Sequence, residues 1–400
     1  MEKWIGEAAL REREEASFEE LEGAMDRAVK QTEDNLRLYQ GAFPEANSVG
    51  GFYPTGKNTD WTSGFWTGEL WISYDYEKDP EKKSFLLSEG EKAVLSFSRR
   101  MEERHYIDHH DMGFLFLPSC VYAWRLTGNR TARETALLAA EQLKSRYRAE
   151  GRYIQAWGEM RSEGNARLII DCLLNLPLLY WASEESGRSE YREIAEIHTE
   201  TTMRHILRED GSSWHTLFFD PKSGEFSHGA TCQGYQDGSA WARGQSWGIY
   251  GTAIAYRNTK NADYLRDFRR ISAYFLSHLP EDLCPYWDLS FGDGDKEEPR
   301  DSSSLAIAAC GFLEMSKYLP REEAEYYSSL SKKLLKSLID HYQVKDRRQS
   351  DGQLLHGTYA KKTPFNTCKN SGVDECVIWG DYFFMEALNR ILRPESMSYF

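Results

Sequence analysis

The chain has 400 residues, a formal charge of −14 and an aromatic content of 14%, with 12 Trp, 23 Tyr and 19 Phe. Such an acidic chain argues against nucleic acid and an anionic membrane as partners, because either wants a basic face; a small anionic ligand needs only one or two local cations. The cysteines, at 120, 172, 232, 284, 310, 368 and 376, are odd in number and lack the close pairs of a zinc site, so most are expected to be reduced core residues.

The N-terminal stretch from Met1 to Glu7 turns charged without an apolar signal core. No run approaches the roughly twenty apolar residues of a membrane span, so a soluble cytoplasmic protein is expected. Ser17 and Glu20 stand in capping-box spacing and open a helix over 16–40 that carries Leu21, Met25, Ala28, Leu36 and Leu38. Helical spacing then recurs over 64–76, 83–103, 113–126, 131–148, 166–184 and 188–207, and again over 243–257, 261–278, 302–318, 321–343 and 375–392. Between these helices, long loops rich in Gly, Asp, His and Trp cover 41–63, 105–112, 211–242, 284–301 and 350–374.

Helical hairpins in this number close into a double ring, with inner helices buried on both faces and the long loops gathered at one end as a funnel. A solenoid is the rival architecture, but no fixed repeat period is visible. No Pro/Gly/Ser linker divides the chain, so residues 1–400 read as a single domain. Segment 211–232, with Trp214, His215, Leu217 and Phe218 before Asp220-Pro221-Lys222-Ser223-Gly224, reads as a β-hairpin laid over the ring.

Asp171 is the leading candidate for chemistry. Ile170, Leu173, Leu174, Pro177 and Leu178 surround it with hydrocarbon, and desolvation raises a carboxyl's proton affinity toward that of a general acid. An Asp that caps or bridges helices in the core reads the same locally, and Asn175, one turn on, is placed to hydrogen-bond it. Asp111 follows Asp108, His109 and His110; metal ligation needs three or more convergent ligands, and a helix N-cap explains Asp111 as well. From Gly229 to Trp247, Gln233, Gln245, Trp241, Arg243 and Trp247 combine amides, flat rings and one cation, the inventory for holding an anionic sugar. Phe291 to Asp295 resembles a calcium loop only loosely, lacks its closing Glu and reads as a solvated turn. Together these features suggest a carbohydrate-processing enzyme.

Several strings resemble one family, the unsaturated glucuronyl hydrolases of glycoside hydrolase family 88. They are Gly64-Phe65-Trp66-Thr67-Gly68-Glu69-Leu70-Trp71, His110-Asp111-Met112-Gly113-Phe114, Ile170-Asp171-Cys172-Leu173-Leu174-Asn175, Gly229-Ala230-Thr231-Cys232-Gln233-Gly234-Tyr235, Trp241-Ala242-Arg243-Gly244-Gln245, and Asp374-Glu375-Cys376 with Trp379-Gly380-Asp381-Tyr382-Phe383. The resemblance runs from about residue 40 to 392. It implies an all-α (α/α)6 barrel, an intracellular location, no cofactor, and substrates that are short oligosaccharides ending in a 4,5-unsaturated uronate, here glycosaminoglycan fragments; apart from the resemblance, no metal and a monomer or homodimer are expected.

By the same resemblance, Asp171 protonates carbon 4 of the enol ether and then, as a carboxylate, activates the water that adds at carbon 5; Asp111 binds hydroxyls and tunes Asp171. His215, Gln233, Trp241, Arg243 and Trp247 would line the unsaturated ring, and Trp66 would form a stacking wall. The segment 357–372 is longer and more basic than is common in the family and resembles the region that contacts sulfate, which nominates Tyr359, Lys361, Lys362, Lys369 and Ser371; a solvated loop reads equally well. An unsaturated rhamnogalacturonyl hydrolase acting on pectin fragments and a non-catalytic anionic-sugar-binding protein are the alternatives.

Overall fold

The computed structural model describes residues 3–160, 162–395 and 400, so the first two residues of the N-terminal stretch lie outside it. Its helices fall into two chemical classes. One class is buried nearly all round: in Ser302–Ser316 every side chain from Ser302 to Met315 is buried, which small residues such as Ala306, Ala309 and Gly311 permit. Ser63–Tyr76, Pro177–Ser186, Ala242–Thr259 and Ile378–Leu392 share this character, as does the continuous run Met112–Phe116, Leu117–Val121 and Tyr122–Thr127. The other class is one-sided: Ala262–Ser277 buries Tyr264, Phe268, Ile271 and Phe275 at intervals of three and four, the stripe expected of a helix with water on its other face. Phe18–Tyr39, Pro80–Glu102, Arg130–Ser145, Ser189–His205 and Arg321–Ser337 belong with it.

The buried helices pack in sequence, and Ile378–Leu392 touches both Ser302–Ser316 and Ser63–Tyr76, which closes the inner ring; each one-sided helix covers it from outside. This is the (α/α)6 barrel. Phe65, Phe114, Trp247 and Phe383 meet along its axis with ring centroids 5.1–5.6 Å apart. Close helix approach is built in at Gly64, where a Cβ would sit 2.0 Å from the Phe114 carbonyl oxygen. Pro118 lacks the N–H an α-helix would use, and the chain passes it in a π-helical turn, Leu117–Val121. The capping box at Ser17 and Glu20 is present. Among the described residues, no helix is long and apolar enough to cross a membrane.

Two expectations change. The helix expected over 166–184 begins as a strand, Arg167–Ile169, paired antiparallel to Thr216–Phe219, which in turn pairs with Phe226–Ala230. Leu168, Ile169 and Ile170 fit a buried strand as well as a helix, and the neighbouring hairpin supplies the ladder; helix resumes as Cys172–Asn175 and then Pro177–Ser186, with Pro177 at its first position. The stretch expected to be a loop over 350–374 contains a second hairpin, Gly357–Ala360 with Ser371–Glu375, so the last helix starts only at Ile378. Phe291 to Asp295 is a turn closed by Asp295 Oδ2 accepting the Gly292 N–H at 2.9 Å.

Candidate active site

The two aspartates meet because two backbones do. Gly113 lies so close to Asn175 that a Cβ on it would sit 2.3 Å from the Asn175 Cα, and Asn175 Oδ1 accepts the Phe114 N–H at 2.8 Å. Asn175 Nδ2 donates to the Asp171 backbone carbonyl at 3.3 Å, so it fixes the Asp171 main chain and not, as expected, its carboxyl. Asp111 and Asp171 each stand at the N-cap of a short helix, yet neither side chain accepts a helix N–H. Capping therefore accounts for neither carboxylate.

Asp171 Oδ1 is buried without a hydrogen-bond partner among the described residues, and His110 Nε2 stands 3.7 Å away. The side chain keeps 16% of its surface open, which must lie on the rest of the group, toward the cavity it lines. Burial first, and the Asp111 charge second, raise its proton affinity well above the ordinary carboxylate range, with Arg243 opposing. Asp111 goes the other way: burial would raise it, but the His110 and His109 imidazoles and the Arg146 guanidinium outweigh burial and hold it ionised. His110 is depressed by burial; its Nε2 lies 3.2 Å from Asp111 Oδ1 and its Nδ1 has no partner among the described residues, so the neutral ring with the proton on Nε2 fits the site. One carboxyl keeps its proton and its neighbour stays charged, the separation that assigns an acid.

These groups open into a cavity of about 450 Å³, within the range for a small-molecule site. Trp61 forms one wall, stacked on Trp379 at 5.4 Å and donating from Nε1 to the Tyr359 hydroxyl at 3.0 Å. Trp66, expected there, faces the opposite way: it is buried against Tyr39 at 5.2 Å, under an outer helix. A helix turns its side chains by about 100° per residue, so with Phe65 aimed at the barrel axis Trp66 cannot reach the funnel. Trp157, 38% exposed, stands at the rim with its ring 6.1 Å from that of His110. Trp247 lies deeper, in contact with Phe114, and Trp241 packs on the His215 ring at 4.3 Å.

His215 Nδ1 accepts the backbone N–H groups of Cys232 at 2.9 Å and Gln233 at 3.2 Å, so the ring proton sits on Nε2. Burial, helped by Arg243, pulls its pKa down to about 3, and it serves as a neutral donor. Gln233 is half-buried in the cavity wall and donates from Nε2 to the Tyr359 carbonyl at 2.9 Å.

Arg243 lines the cavity, but its charge is already matched by Asp301 at 2.8 Å. Its nitrogens also donate to the carbonyls of Thr358 and Tyr359, both at 2.6 Å, and its plane lies 4.3 Å from Trp241 and 4.8 Å from Trp379. It is a hub that ties the start of Ala242–Thr259 to the Gly357–Ala360 strand, not a free cation awaiting a carboxylate. Gln245, expected to bind hydroxyls, is consumed by Ser213, Gly211 and Ile271. Lys361 pairs with Glu298 at 2.6 Å and Lys362 donates to the Asn366 carbonyl, so neither faces the cavity. Lys369 and Ser371 do line it, beside Tyr359.

Facing atoms of His110, Asp111 and Asp171 lie within 4.8 Å of one another, a spacing that could ligate a cation. A dedicated centre orients its histidine through the second ring nitrogen, and His110 Nδ1 has no such partner. Trp61, Trp157, His110 as a bridge, and Asp301 were not assigned from the sequence. Trp61 was within reach, since Asp60-Trp61 directly precedes a helix start inside a loop already marked as Trp-bearing; Trp157 and Asp301 carry no local signal. The cysteines are free as expected and most are core residues, but Cys232 and Cys368 border the cavity.

The family model described as Glycosyl Hydrolase Family 88 matches residues 40–385. An unsaturated chondroitin disaccharide hydrolase of Streptococcus pneumoniae is 43% identical over 381 residues, 95% of this chain and 93% of the relative. A crystal structure of unsaturated glucuronyl hydrolase from Streptococcus agalactiae superposes with a TM-score of 0.92 at 40% identity, covering 98% of this chain and 97% of the other. An aspartate-to-asparagine mutant from the same organism, in complex with dGlcA-GalNAc6S, superposes with a TM-score of 0.85 at 38% identity over 100% and 98% of the two chains.

Proposed function

The chain belongs to glycosyl hydrolase family 88, and from that premise we propose that its cavity holds the 4,5-unsaturated glucuronyl ring of a disaccharide with the Asp171 carboxyl against the double bond. The protein is an unsaturated glucuronyl hydrolase acting on chondroitin-type unsaturated disaccharides. The observation that supports the assignment of roles is the buried Asp171 Oδ1, without a hydrogen-bond partner among the described residues, whose proton affinity burial raises, beside Asp111, whose affinity is lowered.

A glycosidase that cleaves at the anomeric carbon needs two carboxyls flanking that bond at a set separation. An enol ether needs one. Asp171 gives its proton to carbon 4, the double-bond electrons form the new C–H bond, and the positive charge left on carbon 5 is shared with the ring oxygen. The Asp171 carboxylate then takes a proton from the water that adds at carbon 5. The resulting hemiketal opens, and the second sugar leaves from carbon 1. Asp111 accepts ring hydroxyls and, by its charge, keeps the Asp171 proton in place until the alkene arrives. His215 Nε2–H and Gln233 donate to the substrate, Trp61, Trp241 and Trp247 enclose the ring, and Lys369 and Ser371 receive the second sugar and its sulfate.

The test is loss of the ultraviolet absorbance of the conjugated double bond when unsaturated chondroitin disaccharides are added. Asp171→Asn should abolish this while calorimetry still detects binding, because the amide keeps the shape but gives up no proton. A turning-over variant would move the acid elsewhere. Lys369→Ser should weaken turnover of sulfated disaccharides more than unsulfated ones; an equal effect on both would remove Lys369 from sulfate recognition.

A further inference from the structure

None of the chemistry above uses a thiol, yet two free cysteines border the cavity, Cys232 half-buried and Cys368 buried. They sit at one end of a seam that fastens the loop following Gly357–Ala360 onto the loop before Trp241. Along that seam Thr363 Oγ1 donates to the Tyr235 carbonyl at 2.8 Å, Asn366 Nδ2 to the Gly234 carbonyl at 2.9 Å, and the Cys368 N–H to the Cys232 carbonyl at 3.2 Å. The Cys232 N–H is taken by His215, so only this one main-chain bond joins the two cysteines, and it brings their backbones side by side, within reach of the roughly 4.4–6.8 Å Cα separation that a disulfide bridges. Burial first, and the neighbouring Cys232 next, push the Cys368 thiol up. The Cys368 Sγ makes a weak contact with the Lys361 carbonyl at 3.4 Å. Lys369 follows it directly, and Ser371 lies two residues beyond.

Resting on the reading of this cavity as the sugar site, we propose that Cys232 and Cys368 form a reversible disulfide that resets the second-sugar end of the cavity, with a low-molecular-weight disulfide as oxidant. The half-buried Cys232, as thiolate, attacks one sulfur of the oxidant; a mixed disulfide forms and one small thiolate leaves, taking up the Cys232 proton. Cys368 then loses its proton and attacks the Cys232 sulfur, and the second small thiol departs. Two protein thiols are oxidised and one small disulfide is reduced to two thiols. Bridging turns the Cys368 side chain from Lys361 toward Cys232 and draws Lys369 and Ser371 with it. Asp171 and Asp111 stand on other elements and keep their geometry, so the effect falls on KM and not on kcat.

The experiment treats the folded full chain with glutathione disulfide. The expected result is an intact mass lower by two hydrogens, a peptide map linking residues 232 and 368, a KM for sulfated disaccharide raised at least threefold with kcat held within twofold, and full reversal by dithiothreitol. Cys232→Ser and Cys368→Ser should each prevent the loss of two hydrogens; Cys368→Ser should instead retain one glutathione on Cys232, the mixed disulfide of the first step, and the KM of Cys232→Ser should be the same before and after treatment. In the wild type, glutathione retained on Cys232 without bridging, a bridge to another cysteine, or a 232–368 bridge with unchanged KM would overturn the proposal. The mass and the peptide map do not depend on turnover, so failure of the sugar reading would show separately, as an untreated enzyme that leaves unsaturated disaccharides intact.

Discussion

Replacing Asp111 by Asn removes one negative charge beside the acid and should move the alkaline edge of the pH profile. The polar atoms of His110, Asp111 and Asp171 that face one another lie within 4.8 Å. At that separation and an effective dielectric constant of about 20, a unit charge is worth roughly 3 kcal/mol, equivalent to about two pH units in a neighbour's proton affinity. Asp111 is one of the two causes that raise Asp171, and burial, the larger, remains in the variant. The active form carries a proton on Asp171 and none on Asp111. In the wild type, kcat/KM should therefore rise as Asp111 ionises, below the usual carboxylate range, and fall as Asp171 loses its proton, above it. In Asp111→Asn the acid limb should vanish and the alkaline limb should move down by about two pH units, on top of a lower plateau from lost hydroxyl contacts. The assay is decay of the substrate's ultraviolet absorbance at subsaturating concentration, which reports the free enzyme. An alkaline limb that stays at the wild-type pH would refute the electrostatic coupling, and with it the role given to Asp111.

The two tryptophans should separate cleanly. Trp61→Ala should raise KM about tenfold or more with the fold intact, whereas Trp66→Ala should leave KM unchanged and cost about 3–5 kcal/mol in denaturant unfolding, the usual result for a buried Trp; the reverse pattern would reinstate Trp66 as a cavity wall. Arg243→Ala strands Asp301 in the interior and should cost about 3–5 kcal/mol of stability, read by urea titration, because breaking a buried pair leaves an uncompensated charge. A variant of native stability with only a higher KM would restore Arg243 as a free ligand for the uronate. Gly113→Ala should lower kcat by at least tenfold, since its Cβ would meet the Asn175 backbone and push the Asp111 turn away from Asp171; wild-type kcat would show that this contact does not set the spacing of the acids.

The helical hairpins were legible because burial leaves a local imprint. Apolar residues at intervals of three and four mark Ala262–Ser277 as an outer helix, and unbroken apolar runs mark Ser302–Ser316 as an inner one, with no knowledge of what either touches. The stretch over 166–170 was misread for the same local reason, because Leu168, Ile169 and Ile170 satisfy both periods and only the Thr216–Phe219 strand decides between them. Asp171 stood out as a carboxyl among hydrocarbon side chains. The resemblance also pairs it with Asp111, but the place of His110 beside both is not legible, because the two segments, some sixty positions apart, meet through a glycine contact.

The sequence by itself determined the ring of helices, the acid and the set of rings, amides and cations near it, since composition and periodicity record which side chains leave water. Only the tertiary structure decided how those groups are spent: Arg243 on Asp301, Gln245 on Ser213, Lys361 on Glu298, and Trp61 in place of Trp66 as the wall. Desolvation is a property each residue carries in its own neighbourhood of the chain. Pairing depends on distances between remote segments to within an ångström, and those are fixed by how the whole barrel closes.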